Sequence, residues 1–114
     1  MKNIIVVTGG AGFVGTNLIE LLLKKTKLNI ISIDNYSSGY KKNHIKNKRI
    51  KYVSSHTKNI SKKLFGVRKR IQCIFHFGEF ARIYQSFLKL EECIESNSIG
   101  THAVFNFCLE NNIK

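Results

Sequence analysis

Ile4-Ile5-Val6-Val7-Thr8-Gly9-Gly10-Ala11-Gly12-Phe13-Val14-Gly15 carries an uninterrupted apolar run straight into a cluster of glycines. The run has the length and β-branched character of a buried strand, and the residues after the glycines resume with helical periodicity. Two patterns overlap in the turn, G-x-x-G-x-x-G at Gly9, Gly12 and Gly15, and G-x-G-x-x-G at Gly10, Gly12 and Gly15. In such a turn one glycine adopts backbone angles forbidden to a side chain, a second lets the main chain approach phosphates, and a third lets helix and strand pack closely. A side chain at Gly12 is therefore expected to be poorly tolerated. The free amides and positive dipole end of the following helix would stabilise an anionic diphosphate without help from a lysine. The glycines alone also fit a tight turn with no ligand, so the decision rests on residues further along.

The helix is expected over 13–25, with Val14, Leu18, Leu21 and Leu22 on its packed face and Lys24 and Lys25 favourably placed near its end. A second strand, Leu28-Asn29-Ile30-Ile31-Ser32-Ile33, closes on Asp34, the only aspartate of the chain. That spacing suits a carboxylate accepting hydrogen bonds from the ribose hydroxyls of a dinucleotide, and it disfavours a 2′-phosphate, so NAD is expected over NADP. A solvated turn residue ahead of Asn35 and Ser37 is the plainer alternative. The remaining pattern gives a loop over 35–48, a strand over 50–53, a short helix near 58–65, a strand over 71–77 and a long helix near 89–111. Strands alternating with helices imply a parallel sheet with right-handed crossovers. In the last helix Ile94, Thr101, Val104, Phe105, Cys108 and Leu109 recur at helical spacing and read as its core face.

Four motifs in order now define a resemblance: Thr8 to Gly15, Asp34-Asn35-Tyr36-Ser37-Ser38-Gly39, Phe75-His76-Phe77-Gly78, and Asn97-Ser98-Ile99-Gly100-Thr101. Together they resemble the N-terminal motifs of the extended short-chain dehydrogenase/reductases, and most closely the NAD-dependent sugar-nucleotide epimerases and dehydratases. The resemblance covers essentially the whole chain. It implies the N-terminal half of a three-layer α/β Rossmann-type fold, with about four parallel strands in the order 3-2-1-4. It assigns cofactor contacts to Gly9, Gly12, Phe13, Val14 and Gly15, to Asp34, Asn35, Tyr36, Ser37, Ser38 and Gly39, to Phe77 and Gly78, and to Asn97. From pattern alone Asn97 equally fits a buried amide making a core hydrogen bond.

Departures from the family pattern are informative. After the strand at 50–53 the family commonly places an aspartate that binds the adenine amino group, where this chain reads Ser54-Ser55-His56-Thr57. His56 could accept through a neutral ring nitrogen, which is a different contact, so adenine recognition is expected to lean on Thr57 or on backbone groups. Glu79 and Arg82 are three apart and read as an ion pair ahead of a substrate contact. The family's catalytic Y-x-x-x-K is missing, because Tyr36, Tyr40, Tyr52 and Tyr84 are followed four positions on by Tyr40, His44, His56 and Leu88. In that motif a nearby cation lowers the tyrosine pKa so that the phenolate can accept a proton as hydride leaves. No catalytic residue is therefore assigned. The expectation is an incomplete NAD(P)-binding domain over 1–114, inactive alone and lacking the C-terminal substrate lobe, with a UDP-sugar as substrate only when that lobe is supplied. A stand-alone nucleotide-binding module is the alternative.

Composition fits a globular domain. With 114 residues, 43% of them hydrophobic, the chain can form a real core. No apolar run approaches the ~20 residues of a membrane-spanning helix, and Met1-Lys2-Asn3 does not resemble the start of a signal peptide. Cys73, Cys93 and Cys108 show neither disulfide-framework nor metal spacing, so no metal is expected and reduced cytoplasmic thiols are the simple reading. The net charge of +12, concentrated over 40–51 and again at Lys62, Lys63, Arg68, Lys69 and Arg70, raises nucleic-acid binding as a rival. No nucleic-acid motif accompanies these residues, and Lys, Ile and Asn make up 41 of 114 residues with Pro and Trp absent, a bias typical of AT-rich coding. The charge thus reads mainly as solvated surface. Homodimers are common in the family the chain resembles.

Overall fold

The computed structural model describes residues 1–37, 39–78 and 88–114, apart from the Ser96 side chain. Its sheet has four parallel strands: β1 (Ile4–Thr8), β2 (Asn29–Asp34), β3 (Ile50–Ser54) and β4 (Ile71–His76), in the order β3-β2-β1-β4. This is the expected order. α1 (Phe13–Lys25) joins β1 to β2, and α2 (Ile60–Leu64) lies between β3 and β4. α3 (Leu90–Ile94) passes through a π-helical segment (Glu95–Gly100) into α4 (Thr101–Asn111).

Alternate residues of each strand point to opposite faces, and the core divides accordingly. Ile5, Val7 and Ile30 pack with Ile19 of α1. On the other face Ile4, Val6, Ile31 and Ile33 meet Ile60 and Leu64 of α2 and Val104 and Phe107 of α4. Helices thus cover both faces, giving three layers. Burial of a side chain such as Ile19, fully hidden, is worth about 1.5–3 kcal/mol.

Both long helices bury only part of the face expected, with Leu18 and Leu22 in the first and Val104 and Cys108 in the last packed against the core. In α1 the hidden residues are Gly15 and Ile19, with Leu18, Leu22 and Leu23 against the core, whereas Val14 and Leu21 are 56% and 51% exposed. Gly15 sets this orientation, because there the helix presses against the glycine turn. In α4 Val104 and Phe107 are buried, while Phe105 and Leu109, like Ile94 of α3, face outward. Cys73 and Cys108 pack at the edges of the two core clusters as small apolar residues.

A bulge shapes β4. Ile4 pairs with Ile71 but Ile5 pairs with Cys73, so Gln72 is skipped and both Ile71 and Ile74 reach the same core. The bulge thereby reduces the apolar surface that the outer edge of β4 leaves uncovered. Ile71 is fully buried, Cys73 and Ile74 are half-buried, and Phe75 and Phe77 remain exposed. One amide of that edge is taken up, since Ile74 donates to the Lys114 carbonyl at 2.7 Å.

The basic stretch contributes to folding. Arg49 donates through Nη1 to the Thr26 and Leu28 carbonyls, both at 2.9 Å, and through Nη2 to the Leu23 carbonyl. It closes the C-terminal end of α1, where the last carbonyls lack helical partners.

Candidate functional site

The carboxyl ends of the strands bring four turns together, the usual position of a ligand in an open parallel sheet. The first is the glycine turn. Gly9 has φ +72°, and a Cβ there would lie 2.7 Å from the Phe77 carbonyl oxygen. At Gly15 a Cβ would lie 2.2 Å from the Gly9 carbonyl oxygen, and at Gly10 it would collide with the Ser32 side chain. Gly12 differs. Among the described residues a Cβ there meets only the Gly9 carbonyl oxygen, at 3.4 Å, an ordinary contact. The expected intolerance at Gly12 is thus not imposed by packing among the described residues. Gly12 is also the N-cap of α1, with no side-chain cap and no acidic residue in the first turn. Phe13 and Val14 stand exposed beside it.

The second turn begins at Asp34, whose burial at 9% exposed overturns the solvated alternative. Its Oδ2 accepts from the Ala11 amide at 3.0 Å, and its Oδ1 from the Tyr36 amide at 2.8 Å. The carboxylate therefore joins the end of β2 to the glycine turn and supports Tyr36 in its left-handed conformation, φ 60°. The loop then folds back over the turn. Gly39 lies where a Cβ would touch Ala11 and Asp34, and the Ala11 carbonyl accepts from the Tyr40 amide at 3.2 Å and Asn43 Nδ2 at 2.8 Å. Tyr36 Oη hydrogen-bonds His44 Nε2 at 2.7 Å, and His44 stacks on Tyr52 with ring centroids 3.7 Å apart. Burial and the Asp34 charge push the Tyr36 phenol up from its ordinary value. This aromatic clasp holds the loop and had no pattern in the sequence to announce it.

The third turn places His56 and Thr57 differently. Thr57 is 5% exposed, and its hydroxyl has no hydrogen-bond partner among the described residues. Cβ atoms added at Gly78 and Gly100 would lie 3.0 Å and 2.2 Å from its side chain, so both glycines are needed for the packing around it. His56 instead faces a cleft of about 510 Å³, bounded by Asn35, Tyr36 and Ser37 on one side and by Lys58, Glu92 and Glu95 on the other. His56 Nδ1 accepts from the Lys58 amide at 3.0 Å, so the neutral ring carries its proton on Nε2. That corrects the acceptor reading: in the neutral tautomer the remaining ring nitrogen is a donor. Burial pushes its pKa down, with Glu95 opposing and Lys58 adding to the effect. Lys58 pairs with Glu95, and their hydrogen bond and opposite charges hold Glu95 below the usual carboxylate range.

The fourth turn is fixed by Thr8. Its Oγ1 accepts from the Phe77 and Gly78 amides at 2.9 Å and 3.0 Å, and lies 2.6 Å from His76 Nδ1. With both lone pairs used, the hydroxyl proton must point to Nδ1, which leaves the His76 proton on Nε2, 2.9 Å from Thr101 Oγ1. His76 therefore links β1, β4 and α4 and holds Phe77 and Gly78 against Gly9. Asn97 is exposed on the π segment, with Nδ2 3.5 Å from Cys93 Sγ, which removes the buried core hydrogen bond as its role. Ser38 and the Glu79 and Arg82 pairing lie outside the described residues.

Comparison with known proteins agrees with this geometry. The sequence model of the NAD dependent epimerase/dehydratase family matches residues 5–114. UDP-glucose 4-epimerase of Halalkalibacterium halodurans is 26% identical over 110 residues, which are 96% of this chain and 32% of that enzyme. An epimerase of Methanothermobacter thermautotrophicus superposes with a TM-score of 0.87 at 27% identity, over 98% of this chain and 33% of its own. UDP-glucose 4-epimerase of Thermotoga maritima, solved with UDP-glucose, gives 0.85 at 25% identity, over 97% and 35%. The chain thus spans about a third of the length of these relatives. Among the described residues no helix is long and apolar enough to cross a membrane, and no cluster of ligands could hold a metal ion.

Proposed function

The chain belongs to the NAD dependent epimerase/dehydratase family, and we propose that these residues hold NAD for a sugar-nucleotide epimerase or dehydratase. The observation that carries this reading is the contrast within the glycine turn. Gly9, Gly10 and Gly15 are required by the fold, whereas Gly12 is bare although the described residues leave room for a side chain there. A main chain kept bare at an uncapped helix N-terminus suits the close approach of a diphosphate.

The residues fit the cofactor. Gly12, Phe13 and Val14 would meet the pyrophosphate, Asp34 through Gly39 would surround the adenosine ribose, and Phe77, Gly78 and Asn97 would lie along the remainder. Asp34 can take a ribose hydroxyl as well as its two backbone donors, since a carboxylate offers about four acceptor positions. Its charge disfavours NADP. NAD supplies a hydride acceptor and donor, while these residues contain no Tyr-x-x-x-Lys pair for proton transfer. We therefore assign them binding and no turnover of a sugar nucleotide by themselves. A UDP-sugar substrate, homodimeric assembly and a cytoplasmic setting belong to the same proposal, the last supported by three free cysteines.

Calorimetric titration with NAD tests it. Binding is expected in the unmodified chain, abolished by Gly12→Val and weakened by Asp34→Ala; unchanged affinity in both variants would overturn the assignment.

A further inference from the structure

We propose that the amino end of the sheet, opposite the cofactor site, binds single-stranded nucleic acid through its phosphates without reading sequence. The four strands are parallel, so their amino ends lie together. Each is entered from basic residues: Lys2 ahead of β1, Lys27 ahead of β2, Lys48 and Arg49 ahead of β3, and Lys69 and Arg70 ahead of β4. In the order β3-β2-β1-β4, with neighbouring strands about 4.8 Å apart, these positions form a row about 14 Å long. Lys2 Nζ donates to the Asn112 carbonyl at 3.1 Å, which sets the chain just after α4 beside the same row.

The acids lie elsewhere. Asp34 ends β2, and Glu92 and Glu95 line the cleft at the carboxyl end of the sheet. Glu20 is paired with Lys24, and among the described residues only Glu110, in the last turn of α4, comes near the basic end. A bias toward lysine accounts for the number of charges in this chain of net charge +12, but not for their separation from the acids. Helix dipoles favour Lys24 and Lys25 at the end of α1, yet that effect falls off within the last turn and does not reach the residues that enter the strands. Arg49 is engaged with carbonyls. Lys27, Lys48 and Lys69 are exposed and make no ion pair among the described residues.

A row of such cations suits a polymer whose own charges run in line, and bases gathered at one end of a strongly basic domain are the electrostatic footprint of nucleic-acid binding. Phe65, 61% exposed in the turn leading to β4, carries the Arg68 guanidinium 3.9 Å from its ring centroid. An exposed ring and a planar cation offer stacking to unpaired bases. Capped by a guanidinium, the same ring is a poor wedge into a lipid bilayer. Contacts to phosphates carry affinity and no sequence information, in keeping with a chain that has no sequence-reading motif.

Fluorescence anisotropy of a labelled oligouridylate of about 12 nucleotides, titrated with the 114-residue chain, tests this. Binding is expected with a Kd of about 10⁻⁴–10⁻⁶ M at physiological salt, its logarithm varying linearly with log salt by about 0.7 per phosphate contacted. Lys27→Gln/Lys69→Gln should weaken binding about tenfold or more at about 0.1 M salt and lower that slope by about 1.4. Lys41→Gln/Lys42→Gln removes the same charge from the turn that Asn43 ties to Ala11 at the other end of the sheet, and should leave both nearly unchanged. Saturating NAD should not displace the oligonucleotide. Absence of binding at low salt, equal losses in the two double variants, displacement by NAD, or binding to phosphatidylserine vesicles in place of the oligonucleotide would each overturn the proposal. None of these outcomes bears on whether the carboxyl end holds NAD.

Discussion

The Asp34 carboxylate accepts the Ala11 amide at 3.0 Å, a hydrogen bond between the end of β2 and the middle of the glycine turn. The residue proposed to hold the ribose is therefore also a brace for the turn proposed to hold the phosphates. Asp34→Ala would strip partners from two backbone amides, those of Ala11 and Tyr36. The expected loss of unfolding free energy is about 3–6 kcal/mol by urea denaturation, since each of the two hydrogen bonds goes to a charged group and is worth about 1.5–3 kcal/mol. A loss near zero would show that the brace is not energetically engaged. Binding by this variant must accordingly be measured where it remains folded.

The glycines separate stability from binding. Gly9→Ala forces a side chain into a left-handed conformation and against the Phe77 carbonyl, and Gly15→Ala drives one into the Gly9 carbonyl. Each should destabilise the chain by at least about 1–2 kcal/mol. Gly12→Ala should unfold within about 0.5 kcal/mol of the parent, because among the described residues its Cβ meets only an ordinary contact. Calorimetric NAD affinity should nevertheless fall in that variant. Thermal melts that rank Gly12→Ala with the other two would contradict this division.

Local patterns that need no partner information were legible in the sequence. The strand into the glycine turn, the strand closing on Asp34 and the alternation of strands with helices pointed to a parallel sheet, while the order 3-2-1-4, now seen as β3-β2-β1-β4, came from the family resemblance. Helix faces were less legible. Leu21 and Phe105 are as apolar as Ile19 and Phe107, and only the close approach at Gly15 and the packing of α2 against α4 decide which turn inward. The bulge at Gln72, the Lys58 and Glu95 pair and the path from Thr8 through His76 to Thr101 join residues far apart in the chain. No window of sequence contains them.

Lowering the pH should weaken the His56 corner. Burial holds its folded pKa below the ordinary value of 6.5, so between those two values the unfolded chain binds a proton that the folded chain does not. Stability is then fully present above pH 6.5 and declines as pH falls toward the folded pKa, where the decline from this group stops. Protonation also ends acceptance at Nδ1 from the Lys58 amide. Residue-resolved NMR should show His56 as the Nε2–H tautomer and titrating below 6.5. Titration above that value would reverse the predicted sign.

Arg49→Lys keeps the charge but loses the planar fork that reaches the Leu23, Thr26 and Leu28 carbonyls together. A destabilisation of about 1–3 kcal/mol is expected, with faster amide exchange in the last turn of α1 than in its first. Restoration of full stability by lysine would mean that charge alone matters at this end of the helix.

Thr8→Val replaces a hydroxyl by a methyl group of similar shape and removes three hydrogen bonds, to the Phe77 amide, the Gly78 amide and His76 Nδ1. The Phe77 amide retains the Thr8 carbonyl at 3.0 Å as an acceptor, so the Gly78 amide and the imidazole bear the loss. With Thr8 fully buried, the cost should be about 2–4 kcal/mol. Thr101→Val removes the outer bond of the same path, to His76 Nε2, and should cost at least about 1 kcal/mol. The two losses should be less than additive in the double variant, because once Thr8 is gone the His76 ring no longer needs a fixed tautomer. Strict additivity in urea denaturation would show that Thr8, His76 and Thr101 do not act as one network.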